Sequence, residues 1–270
     1  MSLDDIKARG LVMLGCGKMG QAMLEGWLAR GVPANAVWVI DPFPSDWVQA
    51  QGMQVNAGLP ETPAVAIIAV KPQFMDQALP QLKPLGGGGT LIISVAAGTP
   101  IATFEAFLGT GTRVIRAMPN TPAAVGKGIT AFIGNADAGP GDADLAEALL
   151  SAVGQVVRLD AEDQIDAVTG VSGSGPAYVF YMIDALAAAA RAEGLPDDMA
   201  MQLAKATVAG AGALAAAADE SPEQLRINVT SPNGTTQAGL AVLMDEATGL
   251  SPLMRATVGA AAGRSRELRA

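Results

Sequence analysis

A glycine-rich turn near the N-terminus constrains the fold of this chain more than any other feature. The apolar run 11–14 leads into residues 15–20, which read GCGKMG and have the spacing G-x-G-x-x-G, and a helix-prone segment follows. Gly15 allows a sharp turn, Gly17 lets the backbone approach a pyrophosphate, and Gly20 lets the helix pack closely on the strand. A strand, a tight turn and a helix N-terminus form a phosphate cradle, so the pattern predicts dinucleotide binding. An ordinary glycine turn is the alternative, because 32 of the 270 residues are glycine.

Short apolar runs alternate with helical or glycine-rich connections over about the first 155 residues. This alternation predicts a mostly parallel, doubly wound sheet, which binds its ligands at the carboxyl ends of its strands. The predicted strands are residues 11–14, 37–40, 65–70, 90–94, 112–116, 128–133 and 155–158, and the predicted helices between them are residues 19–30, 101–107 and 142–152.

The composition changes at about Ala161, where strand-like runs disappear and alanine becomes dense. We therefore predict an α/β fold in which a Rossmann-type dinucleotide-binding domain, residues 1–160, precedes an all-helical domain, residues 161–270. A helical unit too short to shield both of its faces is a candidate subunit interface. A homodimer or higher oligomer is expected, and a self-contained bundle is the alternative. The predicted helices are residues 176–193, 197–218, 222–229, 236–247 and 252–268.

The chain contains no histidine, and this absence excludes several mechanisms. A Ser-His-Asp or Cys-His hydrolase and a zinc site built on imidazoles both require that side chain. The single cysteine, Cys16, excludes an internal disulfide. These absences favour a reaction whose difficult step is carried out by a cofactor.

The net charge and the N-terminal residues bear on which partners the protein binds and where it is expected to be located. The net charge of −9 argues against a nonspecific nucleic-acid surface, which needs clustered Lys and Arg. No apolar run approaches twenty residues, so no membrane span is expected. Residues 1–5, MSLDD, carry acids where a signal peptide needs a basic region, and the cytoplasm is the expected location.

Three loops that follow predicted strands carry residues suited to a ligand site. Lys71, in the loop 69–73, can contact phosphate or ribose, and the small residues of the loop 94–98 leave room for a flat nicotinamide ring. In the loop 116–122 two prolines fix the backbone and Asn120 offers an amide. Each loop alone is compatible with an ordinary surface turn. Together with the glycine turn, their positions at successive strand ends favour one shared site.

Two further segments lead into predicted helices of the second domain. They are residues 172–178, SGSGPAY, and residues 231–236, SPNGTT. Backbone N–H groups at a helix start, together with serine and threonine hydroxyls, form a nest suited to a carboxylate. Simple helix capping is the alternative for each segment.

These segments together resemble the pyrroline-5-carboxylate reductase family, which carries out the last step of proline synthesis. The similarity extends from residue 11 to about residue 268, and the segments SGSGPAY and SPNGTT are far more specific than the glycine turn. The stretches that carry it are residues 15–19 (GCGKM), 69–73 (AVKPQ), 114–122 (VIRAMPNTP), 166–178 (DAVTGVSGSGPAY) and 231–236 (SPNGTT).

The resemblance implies reduction of the cyclic imine (S)-1-pyrroline-5-carboxylate to L-proline with hydride from NADPH or NADH, and helical domains that interlock into a dimer. It assigns cofactor phosphates and ribose to residues 14–19 and Lys71, an adenosine-side contact to Asn56, and the nicotinamide edge to Val70, Ala97, Pro119 and Asn120. With Asp41, which is argued from its own position below, the predicted cofactor-binding set is Leu14, Gly15, Cys16, Gly17, Lys18, Met19, Asp41, Asn56, Val70, Lys71, Pro72, Ala97, Pro119 and Asn120.

The resemblance assigns the substrate to the second domain, at Ser231, Gly234, Thr235 and Thr236, with the carboxylate in the nest and Thr236 near the ring nitrogen. A cyclic imine that arrives protonated on nitrogen needs only a positioned hydride, which agrees with the absence of histidine. The expected catalytic role of Thr236 is to orient the nitrogen by a hydrogen bond rather than to act as a strong acid.

Asp41 bears on the choice of cofactor. It ends the second predicted strand, 21 residues after Gly20, where an acid accepts hydrogen bonds from the ribose 2′-hydroxyl and repels a 2′-phosphate. Residues 41–46 contain no arginine, so the residues favour NADH. Many members of the resembled family carry Ser, Thr or Arg nearby and use NADPH, so the resemblance favours the other cofactor. The chain also has Lys18 where the family often has Asn or Gln, and Gly20 where it often has Ala.

Two other functions stay open at this point. One is a related two-domain reductase that acts on another cyclic imine or on a hydroxyacid. Hydroxyacid enzymes use a Lys and an Asn one helical turn apart, and the sequence ATVA that follows Lys205 does not fit that pattern. The other is a noncatalytic dinucleotide-binding sensor, which would not need the segment 231–236.

Overall fold

The computed structural model describes residues 3–269. Met1 and Ser2, on which the expectation of a missing export signal partly rests, lie outside the described residues. The strands are β1 Leu11–Leu14, β2 Val37–Ile40, β3 Gln54–Val55, β4 Val65–Ile68, β5 Leu91–Ser94, β6 Arg113–Met118, β7 Gly128–Gly134 and β8 Gly154–Arg158. The α-helices are α1 Leu3–Arg9, α2 Lys18–Ala29, α3 Asp46–Ala50, α4 Met75–Ala78, α5 Ile101–Leu108, α6 Pro140–Leu150, α7 Gln164–Val168, α8 Gly175–Ala192, α9 Asp197–Ala217, α10 Pro222–Asn228, α11 Thr235–Leu243 and α12 Leu250–Glu267.

The strands form one sheet in the order β3-β2-β1-β4-β5-β6-β7-β8. Neighbouring strands are parallel except β6 and β7, which pair antiparallel. The chain builds outward from β1 in one direction and then from β4 in the other, so the strand order reverses between β1 and β4. Ligands of doubly wound sheets bind at this reversal, outside the carboxyl ends of the strands. The predicted α/β fold is confirmed.

Both faces of the sheet are buried at its central strands β1, β4 and β5. Leu11 and Met13 belong to one apolar cluster, and Val12 and Leu14 belong to the cluster on the opposite face. Successive side chains of a strand point to opposite faces, so an unbroken apolar run is what a strand covered on both sides requires. Trp27 of α2 is almost completely buried and donates from Nε1 to the backbone oxygen of Leu149 at 2.8 Å, which fixes α2 beside α6.

Each predicted strand overlaps an observed one, and two differences have clear causes. The two-residue strand β3 was missed because so short a segment shows no alternation of apolar and polar residues. The helix predicted over 236–247 ends at Leu243 instead. There the Asp245 carboxylate accepts hydrogen bonds from the backbone N–H groups of Ala247 and Thr248 and from the Thr248 hydroxyl, which stabilises a turn instead of another helical turn.

The chain forms two compact units. The first runs up to Gly173 and takes in the chain again from Ala261, and the second is Ser174–Ala260. The predicted functional division at residue 160 stays a prediction. In the first unit the buried carboxylate of Asp166 accepts from the Ser265 hydroxyl at 2.8 Å and pairs with Arg269.

The second unit is entirely helical, and in it α8 packs along α9. Its buried apolar side chains, among the described residues, are Ala187, Ala200 and Ala204. Larger apolar side chains remain exposed, including Tyr181 at 74%. Across residues 3–269, no helix is both long enough and apolar enough to cross a membrane.

Candidate functional site

A cleft of about 640 Å³ opens in the first unit where the strand order reverses. Its walls come from the segments that follow β1, β2, β3 and β4, so it lies where a doubly wound sheet binds ligands. It brings together eight of the predicted cofactor residues: Leu14, Gly15, Cys16, Gly17, Asp41, Asn56, Val70 and Lys71. The remaining lining residues are Ile40, Pro42, Phe43, Ala69, Phe74, Gln77, Ala78 and Gln81.

The first glycine of the turn is required by the backbone. Gly15 has φ +80°, in the left-handed region that favours glycine. A Cβ atom there would lie 2.6 Å from Cγ1 of Val70 and 3.0 Å from the backbone oxygen of Ala69. The third glycine has a packing role, because a Cβ on Gly20 would lie 3.0 Å from the backbone oxygen of Gly15. The turn after β1 is therefore held tightly between the segment that follows β4 and the first turn of α2.

The second glycine leaves space for a ligand. A Cβ on Gly17 would meet no protein atom within 4 Å, although Gly17 lines the cleft. Gly17 is also the N-cap of α2, and no side chain caps this helix. The first turn of α2 therefore starts beside open space that a side chain at position 17 would partly fill. The N–H groups of such a helix start suit a pyrophosphate. These residues fit a dinucleotide.

Asp41 connects the turns that follow β1 and β2. Its Oδ2 accepts from the backbone N–H of Cys16 at 2.6 Å, and its Oδ1 accepts from the backbone N–H of Phe43 at 2.7 Å. Asn56, in the left-handed region at φ 52°, bonds through its amide to the backbone oxygen of Asp41 at 2.8 Å and to its backbone N–H at 3.1 Å. A carboxylate thus stands in the cleft, and Asn56 supports its backbone.

The Cys16 thiol is unsuited to nucleophilic chemistry. The residue is 6% exposed. Burial, followed by the nearby negative charges of Asp41 and Glu25, raises the pKa of the thiol from an ordinary value of 9.0 to about 12. A thiol is reactive as the thiolate, so Cys16 serves here as a small apolar side chain.

The buried thiol is expected to make stability fall at alkaline pH. The unfolded chain releases the Cys16 proton near pH 9, whereas the folded chain holds it to about pH 12. Between these values the folded state binds more protons, so its stability decreases as pH rises. We expect the free energy of unfolding, measured by urea titration, to fall by about 1 kcal/mol more between pH 9 and pH 10 in the wild type than in Cys16→Ala. Equal decreases in the two proteins would contradict a protonated, buried thiol.

Six predicted cofactor residues do not line the cleft. Lys18 and Met19 begin α2, Pro72 begins a short 3-10 turn, and Ala97, Pro119 and Asn120 follow β5 and β6. Both ends of the Asn120 amide are engaged within the protein. Its Nδ2 donates to the backbone oxygen of Ser172 at 3.2 Å, and its Oδ1 accepts from the backbone N–H of Ile129 at 2.9 Å.

Two aromatic side chains of the cleft were missed from the sequence. Phe43 is 90% exposed and Phe74 is half exposed, and both line the cleft. Flat aromatic faces are suited to stacking on a base. The sequence does carry a signal for Phe43, since it lies two residues after Asp41 and between two prolines. Phe74 offers no such signal, because its position depends on the turn that follows β4.

The predicted substrate segment lies in the second unit, at the start of α11. The helix begins at Thr235, and its N-cap, Gly234, has no side chain to occupy the first-turn N–H groups. Asn233 adopts φ 61° and donates from its backbone N–H to Oε1 of Gln237 at 2.5 Å. Thr235 and Thr236 are exposed. This arrangement of N–H groups and hydroxyls can bind a carboxylate.

Comparisons with known proteins match the chain over nearly its whole length. A family model described as "Pyrroline-5-carboxylate reductase dimerisation" matches residues 162–268, and one described as "NADP oxidoreductase coenzyme F420-dependent" matches residues 11–98. A pyrroline-5-carboxylate reductase of Pseudomonas aeruginosa is 39% identical over 264 residues, which cover 96% of each chain. One of Methanosarcina acetivorans is 39% identical over 262 residues, which cover 94% of this chain and 96% of that relative.

Solved structures give the same match. A pyrroline-5-carboxylate reductase from Coxiella burnetii has a TM-score of 0.89 at 33% identity, covering 97% of this chain and 99% of that one. The pyrroline carboxylate reductase of Plasmodium falciparum, solved with NADP bound, has a TM-score of 0.83 at 25% identity, covering 98% of this chain and 99% of that one.

Proposed function

The chain belongs to the pyrroline-5-carboxylate reductase family, and on that premise we propose that it reduces (S)-1-pyrroline-5-carboxylate to L-proline with hydride from NADPH or NADH. This is the last step of proline synthesis. The observation that carries the proposal is that one chain holds both a dinucleotide cleft at the reversal of its sheet and the segment 231–236 at an uncapped helix start. The relatives do not favour a reductase of another imine or of a hydroxyacid, or a noncatalytic sensor.

The residues of the chain have separable roles in this reaction. The nicotinamide cofactor supplies the hydride, and the turn 15–20 would hold its pyrophosphate. The first-turn N–H groups of α11 bind the substrate carboxylate, and the Thr236 hydroxyl orients the ring nitrogen by a hydrogen bond. Because a protonated imine is already electrophilic, alignment is the main contribution required of the protein.

Asp41 supports a preference for NADH. Its carboxylate is held in the cleft by two backbone N–H groups, so a ribose 2′-phosphate placed beside it would meet a fixed negative charge. A ribose 2′-hydroxyl in the same place would donate to it. The segment 41–46 offers no arginine to a phosphate.

Assembly and location belong to the same proposal. Apolar side chains of α8, α10, α11 and α12 in the second unit are exposed. Contact with a second copy of the chain would bury them, which supports a homodimer or a higher oligomer formed through this unit. Functionally we divide the chain into residues 1–160, for the dinucleotide, and 161–270, for dimerisation and substrate. The cytoplasm is the proposed location, and the net charge of −9 gives no support to nucleic-acid binding.

A spectrophotometric assay tests this function. We expect the wild type to oxidise NADH or NADPH in the presence of pyrroline-5-carboxylate, and Thr236→Ala to lower kcat/KM for the imine by about tenfold, the value of one hydrogen bond. The affinity for the nicotinamide cofactor should stay nearly unchanged. Thr257→Ala removes another threonine hydroxyl of the second unit, one that bonds within α12, and serves as the control. No oxidation of either cofactor by folded protein rejects the function, and lost cofactor binding in Thr236→Ala makes that residue structural.

A further inference from the structure

The carboxylate of Glu162 joins two elements that are far apart in sequence. Its Oε1 accepts from Nη1 of Arg116 at 2.8 Å and from the backbone N–H of Ile101 at 2.9 Å. Arg116 lies in β6, and Ile101 is the first residue of α5. The N-cap of α5 is Pro100, which has no side-chain acceptor, so Glu162 provides an acceptor at the start of this helix from a distant segment.

Arg116 depends on this carboxylate. Its side chain is 1% exposed, and it stands opposite Ser94 of β5 in the sheet. Among residues 3–269, its Nε has no hydrogen-bond partner, and Glu162 is its ion-pair partner. Glu162 is more accessible, at 31% exposure of its side chain. A buried guanidinium that loses its counter-charge is strongly destabilised, so Arg116 and Glu162 hold each other in place.

The loop 95–100 lies between these fixed points. It follows Ser94, whose backbone pairs with that of Arg116 in the sheet, and it precedes Ile101, whose N–H is bonded to Glu162. Within it Ala97 is exposed, although Ala96 and Thr99 are buried. The loop is therefore anchored at both ends and presents a small residue outward.

The same short segment, 162–166, also supports the other side of this loop. Asp166 binds Ser265 and Arg269, close to Leu268. A Cβ on Gly98, which has φ +74°, would lie 3.4 Å from the backbone oxygen of Leu268. The loop therefore packs against a stretch of chain that Asp166 holds.

We propose that Glu162 is a positioning residue for hydride transfer: with Arg116 it fixes the loop 95–100, and thereby the wall against which the nicotinamide ring rests. This inference rests on the proposed function and on the place of Ala97 at the nicotinamide edge. Displacing a reacting ring by about 1 Å costs up to roughly a hundredfold in rate. Glu162 itself touches neither cofactor nor substrate in this role.

The test compares Glu162→Gln with the wild type in the full chain. The amide keeps an acceptor for Ile101 and removes the charge that Arg116 needs. We expect kcat to fall about tenfold, while the KM for the imine and the Kd for ADP-ribose, which lacks nicotinamide, change less than twofold. The Kd for NADH should rise, because only the intact cofactor reaches the displaced loop. Glu147→Gln, which removes a carboxylate paired with exposed Arg158, should behave like the wild type.

A second pair of variants addresses the other bond. Ile101→Pro removes the N–H that Glu162 accepts, at a first helical position where proline is tolerated, and Ile101→Val trims the same side chain but keeps the N–H. We expect Ile101→Pro to lower kcat several-fold more than Ile101→Val. This pair decides the matter if Glu162→Gln does not fold.

An unchanged kcat in Glu162→Gln, or equal losses of NADH and ADP-ribose affinity, overturns the positioning role. If the wild type does not reduce the imine at all, the proposed function fails separately. In that case the positioning role is tested by binding alone, from the Kd for NADH and the Kd for ADP-ribose in Glu162→Gln and in the wild type.

Discussion

Gly15→Ala is expected to weaken cofactor binding by roughly a hundredfold, the equivalent of the 1–3 kcal/mol that such backbone strain costs. The added Cβ would lie 3.0 Å from the backbone oxygen of Ala69 and 2.6 Å from Cγ1 of Val70, at φ +80°. The Val70 side chain can rotate away from the added Cβ, but the backbone at Ala69, which directly follows β4, cannot. The turn must therefore open, which moves the N–H groups at the start of α2 away from the pyrophosphate. The Kd for NADH, from calorimetric titration, measures the effect.

Gly31→Ala is the matched control for this change. Gly31 has φ +86°, so alanine meets the same backbone strain, but its Cβ would meet no atom within 4 Å. We expect a loss of stability of about 1 kcal/mol and an unchanged Kd. If Gly15→Ala binds NADH as the wild type does, the turn is not the pyrophosphate site.

Asp41→Ser is expected to shift the ratio of kcat/KM for NADPH to that for NADH by roughly a hundredfold in favour of NADPH. Two effects contribute, each on the order of 1–2 kcal/mol: loss of hydrogen bonds from the ribose hydroxyl to a carboxylate, and removal of its repulsion of a 2′-phosphate. Activity with NADH should also fall in absolute terms. The reason is structural, since serine cannot hold the backbone N–H groups of both Cys16 and Phe43 as the carboxylate does.

Asp46→Ser provides the control, because it removes an equal charge from the same segment at an exposed position that does not line the cleft. The ratio of kcat/KM for NADPH to that for NADH in Asp46→Ser should match that of the wild type. If this ratio is unchanged in Asp41→Ser, a residue other than Asp41 discriminates between the two cofactors.

The sequence was most informative where local pattern and local chemistry coincide. Apolar runs such as 11–14 and the glycine spacing that follows predicted the strand, the turn and the helix, because each depends on neighbouring residues. The cleft brings Asp41 and Lys71 to the turn at 15–17, as strand ends in a doubly wound sheet require. Periodicity gave no sign of β3, and it extended α11 past the turn that Asp245 stabilises.

Contacts between distant segments were beyond prediction from one sequence. Asn120 was predicted to offer an amide at the site, and nothing in the sequence indicated its two hydrogen-bond partners, which lie 9 and 52 residues away. Glu162 was not singled out at all, because an acid in a polar stretch is usually a solvated surface residue. Its importance depends on Arg116, 46 residues earlier, which is buried and forms an ion pair with it.

The chain from Ala261 on belongs to the first unit, so this unit is complete only at the end of synthesis. Asp166 is buried beside Ser265, which follows 99 residues later, and the whole of Ser174–Ala260 lies between them. Since translation proceeds from the N-terminus, the first unit emerges from the ribosome without the partner of this carboxylate. Its nucleotide cleft can take shape early, but the support behind Gly98 is completed only after the helical unit has been made. On the roles proposed above, a nascent chain would therefore bind the adenosine half of its cofactor before it could hold the nicotinamide half in place.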